Sequence, residues 1–135
     1  MTLEIFKSVS FDAAFESPSD LWILLDPDHN PWTERVDWEL GLLIRRSRNR
    51  QEKNPKAPLL LATPEGWPSP RLLVLFSEGL SSGAWLTLVH QTLTKMRVKT
   101  ATILPPQGSK PPAPKELAEL SQGEWGIRWV DSKSV

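Results

Sequence analysis

Residues 71–104 read RLLVLFSEGLSSGAWLTLVHQTLTKMRVKTATIL, and this stretch decides the fold. Arg71–Phe76 contains the continuous apolar run Leu72–Phe76, of strand length, which predicts a strand covered on both faces. Ser77-Glu78-Gly79 makes its exit turn. Ser81 or Ser82 then caps a helix running to about Met96, because a serine oxygen satisfies free N–H groups of the first turn. Trp85, Leu88 or Val89, Leu93 and Met96 recur at helical spacing and form its inner face. Lys99–Leu104 alternates as a second strand and stops at Pro105-Pro106.

Upstream, Pro58–Thr63 (PLLLAT) is a further strand, ended by the turn Pro64-Glu65-Gly66-Trp67-Pro68. Glu34 to about Ser47 carries Val36, Leu40, Leu43 and Ile44 on one helical face, with Trp38 to one side. That spacing predicts one amphipathic helix, with Gly41 packed closely against a neighbour. Leu21–Leu25 (LWILL) is a second fully apolar strand, and it runs into the loop Asp26-Pro27-Asp28-His29-Asn30-Pro31. Thr2–Ser8 alternates as a short edge strand, followed by a polar stretch. Downstream, residues 107–114 form a proline-rich loop, Lys115–Ser121 a short helix and Glu124–Val130 a last strand. Strands alternating with helices predict one α/β domain over residues 1–135, with a mostly parallel or mixed sheet.

Composition narrows the chemistry. The chain has no cysteine, which excludes a disulfide framework, a thiolate zinc site and a cysteine nucleophile. It has 13 prolines, 7 tryptophans and no tyrosine, a bias toward rigid loops and large amphipathic rings. The N-terminus lacks a basic start followed by an apolar run, and no apolar run is long enough to cross a bilayer. The expected location is the cytoplasm, without membrane contact.

The formal net charge is zero, yet the charges are segregated. Residues 1–39 hold nine acids and two bases, whereas 40–56 hold six bases against Glu52 alone. Arg45, Arg46, Arg48 and Arg50 are therefore the candidates for nucleic-acid contact. The simpler account is a solvated helix end whose arginines suit the macrodipole. The neutral total and the lack of aromatic interleaving in that segment make this the weakest functional reading.

No catalytic residues can be assigned. His29 lies in the acidic loop and His90 on a helix without an acidic neighbour, and no nucleophile elbow, Walker loop or dinucleotide fingerprint is present. The loop oxygens at Asp26, Asp28 and Asn30 faintly echo a calcium loop, but Pro31 stands where such a loop needs glycine. No metal and no cofactor are expected. If a small ligand binds, its residues are Asp26, Asp28 and Asn30 after one strand, and Ser77, Gly79 and Ser81 after another. There, the open end of a sheet meets a helix N-terminus. Trp32 and Trp67 adjoin prolines outside the regular pattern and are the candidate anchors for a protein partner.

Residues 35–105, with Gly41-Leu42-Leu43, the basic linker, and PLLLATPEGWPSPRLLVLF onward to ATILPP, resemble the N-terminal domain of the leucine (cytosol) aminopeptidases. The matching pattern is a strand with its turn at Arg71–Gly79, a helix at Gly83–Met96 and a strand at Arg97–Pro105. One departure is that the family's glycine-rich turn reads Ser77-Glu78-Gly79 here. The resemblance implies a macrodomain-like three-layer sandwich, a mixed, mostly parallel sheet of about six strands with helices on both faces. It also implies a non-catalytic role, since in that family this domain supports assembly, and in some members binds DNA, while a separate domain carries the metals. No such peptidase domain is expected within these 135 residues. True macrodomains bind ADP-ribose with an Asn-Ala-Ala-Asn stretch and a glycine-rich loop, neither of which occurs here. The expectation is thus a scaffold acting on a protein partner or on itself, with an ADP-ribose or nucleotide binder as the alternative.

Overall fold

The chain alternates strands and helices round one sheet. A computed structural model describes residues 6–16, 18–50, 58–76, 82–106 and 126–130. The elements are β1 (Phe6–Val9), α1 (Phe11–Glu16), β2 (Leu21–Leu25), a 3-10 turn (Pro27–His29), α2 (Thr33–Glu39) and α3 (Leu43–Asn49). They continue with β3 (Leu59–Ala62), β4 (Arg71–Leu75), α4 (Ser82–Met96), β5 (Thr100–Leu104) and β6 (Gly126–Val130). The strand order is β1-β6-β5-β2-β4-β3, parallel throughout except for β3, which runs antiparallel to β4. The expected mixed, mostly parallel α/β sheet is what forms.

The two strands of the opening stretch are not neighbours. β2 lies between them, with Trp22 level with Leu72 on one side and with Thr102 on the other. That central place explains why all five residues of LWILL are buried. Successive side chains point to opposite faces, and the core divides accordingly. Trp22, Leu24, Leu72, Val74 and Leu104 pack with Phe11, Ala14, Val36, Leu40 and Ile44 from α1, α2 and the segment running into α3. Leu21, Ile23, Leu25, Leu73, Leu75, Ala101 and Ile103 pack with Val89 and Leu93 of α4. Each large apolar side chain removed from water in this way contributes about 1.5–3 kcal/mol. β3, at the edge, alternates buried and exposed.

Two expectations need correction. The polar stretch after the first strand contains α1, where the Ser10 hydroxyl accepts the Ala13 N–H (3.2 Å) and Phe11 and Ala14 are buried. The single helix expected over residues 34–47 is two helices. Gly41 (φ +65°) and Leu42 (φ +64°) are both left-handed and break it. The buried Asp37 carboxylate accepts the Ile44 N–H (2.8 Å), and the Asp37 carbonyl accepts the Leu42 N–H (2.8 Å). Asp37 thereby caps α3 from the preceding helix, a bond with no signature in local sequence. The expected helix at 115–121 and loop at 107–114 lie outside the described residues.

Candidate functional site

The polar loop after β2 sits where the C-terminal ends of the parallel strands leave backbone groups unpaired. Asn30 closes that end. Its side-chain amide donates to the carbonyls of Leu25 and Leu104 (2.8 Å each), and its oxygen accepts the Trp32 N–H (2.9 Å). One side chain thus ties β2 to β5 and starts the turn into α2. Asp26 is left-handed (φ +47°) and buried, a conformation aspartate tolerates better than most residues. Both its carboxylate oxygens lie 3.1 Å from Nδ1 of the exposed His29. Thr33 Oγ1 donates to the Pro27 carbonyl (2.7 Å) and holds the 3-10 turn against α2.

Asp28 reaches across to α3, where Arg48 donates to its two oxygens at 2.8 and 3.3 Å. The same guanidinium lies 4.9 Å from the Phe76 ring centroid, just beyond β4. Between these groups is a cleft of about 720 Å³ whose wall includes Asp28, Asn30, Glu34, Asp37, Arg45 and Arg48. Its size suits a small molecule. Several of its polar groups, however, are engaged within the protein: Asp28 pairs with Arg48, Asp37 holds the start of α3, and Asn30 bonds two strands.

The structure therefore brings Asp26, Asp28 and Asn30 to one end of the sheet, as the chain order requires. Ser77, Gly79 and Ser81 lie outside the described residues. Of the basic segment, Arg45, Arg46 and Arg50 are exposed, whereas Arg48 is the partner of Asp28. Among the described residues no group of three or more histidines or acids is arranged to hold a metal. No helix among them is long and apolar enough to cross a membrane.

The assignment of Trp32 as a partner anchor is overturned. Trp32 is 1% exposed and stacks on Phe11 with ring centroids 4.6 Å apart. Trp67 is half-buried, edge-on to Phe15 (4.9 Å) and Trp22 (5.4 Å). Both rings pack on the aromatic cluster of the core. The exposed large apolar residues among those described are Trp38 (75%) and Leu60 (51%). Trp38 was legible, since it falls off the apolar face of its helix. Leu60 was not, because an edge position is invisible in an unbroken apolar run.

No protein-family model and no curated protein sequence matches the chain. Among solved structures, it is similar to tomato leucine aminopeptidase in a point-mutant form, with a TM-score of 0.60 over 94% of this chain and 11% identity. The chain spans 32% of the length of that protein. At such identity the likeness establishes a shared fold and nothing of activity.

Proposed function

We propose that this chain is a non-catalytic scaffold of macrodomain-like fold, related in role to the N-terminal domain of the aminopeptidases and acting through contacts with protein, including itself. The observation that carries this reading is the use made of the polar groups at the strand ends. A ligand site keeps a few polar groups aimed at its cavity. Here Asn30 spends its amide and its oxygen on Leu25, Leu104 and Trp32, and Asp28 is held by Arg48. The similarity to one part of a larger aminopeptidase is in keeping with a domain whose work is assembly.

An ADP-ribose or nucleotide binder is the competing reading, favoured by the cleft beside Asp28 and Arg45. Thermal denaturation with ADP-ribose separates the two. Ligand at about a hundred times its Kd stabilises the native state by about 2.7 kcal/mol and raises Tm by several degrees. The scaffold reading expects an unchanged Tm with excess ADP-ribose. A saturable rise that disappears in Asp28→Ala would replace it with the nucleotide reading.

A further inference from the structure

We propose that the outer edge of β3 pairs with the same edge of a second copy of this chain, joining two sheets across a twofold axis at Leu61. The inference rests on the scaffold reading and names its self-contact.

The geometry follows from the antiparallel ladder between β3 and β4. Thr63 donates its N–H to the Pro70 carbonyl (3.2 Å), so Thr63 and Pro70 are a hydrogen-bonded pair. Pairs in such a ladder alternate, and Leu61 lies opposite Leu72 and Leu59 opposite Val74. Leu59 and Leu61 therefore turn their backbone groups to β4. Leu60 and Ala62 turn theirs outward, where no backbone group among the described residues hydrogen-bonds them. Both residues are also exposed, Leu60 by 51%.

An open row of N–H and C=O groups on an apolar strand is a template for another strand, and edges are usually blunted by charge, proline or a bulge. The strand itself, Leu59-Leu60-Leu61-Ala62, carries none of these residues. What selects a second copy is symmetry about Leu61. Pro58 and Pro64 stand three residues to either side of it and, lacking an N–H, end the ladder equally at both ends. In the antiparallel register centred there, Leu60 exchanges both hydrogen bonds with Ala62 of the partner subunit, and Ala62 with Leu60 of the partner subunit. Leu61 meets its own copy on the axis. No like charges oppose one another, because residues 58–64 contain no ionisable side chain.

The test is sedimentation equilibrium of the full chain over a concentration series, with far-UV circular dichroism to check folding. The wild type is expected to dimerise reversibly. Leu60→Lys, which places a charge on the edge, and Ala62→Pro, which removes an outward N–H, should each raise the dimer Kd by at least about tenfold. If Ala62→Pro fails to fold, Leu60→Lys and a cross-linking arm decide the matter. The chain has no cysteine of its own, so L60C and A62C carry the only thiols. On mild oxidation, an equal mixture of L60C and A62C should form far more covalent dimer than either variant alone, since paired Cα atoms lie about 5.5 Å apart. A wild type that stays monomeric at every concentration overturns the pairing, as does a dimer indifferent to both substitutions. So does cross-linking with no preference for the mixture. The ADP-ribose titration tests the scaffold reading separately, so the two can fail independently.

Discussion

Trp22 and Trp38 are the same residue type in opposite circumstances. Trp22 is fully buried, edge-on to Phe11 and Phe15 at 5.9 Å each. Its indole nitrogen, like those of Trp32 and Trp67, is buried without a hydrogen-bond acceptor. Truncating Trp22 removes a large packed volume and leaves a cavity, so Trp22→Ala should lose about 3–5 kcal/mol in a denaturant titration. Trp22→Phe should lose less, because it also removes the orphaned donor. Trp38→Ala should stay within about 0.5 kcal/mol of wild type, its ring being 75% exposed. Equal losses at the two sites would contradict this assignment of the core. Trp32→Ala belongs with Trp22→Ala, which is why it is unsuitable as a probe of partner binding.

At the level of elements, the break between α2 and α3 shapes one wall of the cleft. One continuous helix would satisfy the apolar spacing from Val36 to Ile44. The chain instead turns through two left-handed residues, and Asp37 takes the Ile44 N–H. Glycine suits φ +65° without a Cβ penalty, whereas Leu42 carries that penalty and is held by the cap. A Cβ added at Gly41 would meet nothing nearer than the Arg46 guanidinium at 4.0 Å, so space is not the obstacle. Gly41→Ala should therefore cost about 1 kcal/mol through backbone conformation alone, read as a shift in the chemical-denaturation midpoint. Stabilisation by alanine would imply that α2 and α3 fuse into the single helix that the periodicity suggests.

For the whole molecule, the far end of the sheet is closed by a clasp between distant parts of the chain. The Asp20 carboxylate accepts the N–H groups of Lys99 (3.1 Å) and Thr100 (3.2 Å), while Thr100 Oγ1 accepts the Asp20 N–H (2.8 Å). The Lys99 N–H is the main reason its pKa falls below the ordinary 3.8; burial works against this, and the Thr100 bonds add to it. A carboxyl with a lowered folded pKa stabilises the fold fully above its unfolded value, and that contribution disappears as pH falls through the folded one. The Tm gap between wild type and Asp20→Asn should thus be largest near neutrality and shrink on acidification below the ordinary carboxylate range. A gap independent of pH would show that Asp20 acts through shape rather than charge. Because Asp20 is exposed, salt and solvent moderate the effect.

Local chemistry by itself determined the main elements. LWILL and RLLVLF announce buried strands, the spacing of Val89, Leu93 and Met96 announces α4, and Asp26-Pro27-Asp28-His29-Asn30 announces the polar loop at a strand end. These signals are legible because strand and helix periodicities act over a few residues. Tertiary structure alone decided that β2 lies between β4 and β5, since pairing order depends on contacts between residues far apart in the chain. It also decided that Trp32 faces inward, a choice set by Phe11 rather than by the adjoining proline. The polar loop was readable as a cluster, but its hydrogen bonds were not, because Asn30 finds Leu104 and Asp28 finds Arg48 only after the sheet and α3 are in place. The segment 71–104 therefore specifies an α/β domain on its own, while the edge at β3 and the use of the strand-end polar groups belong to the assembled fold.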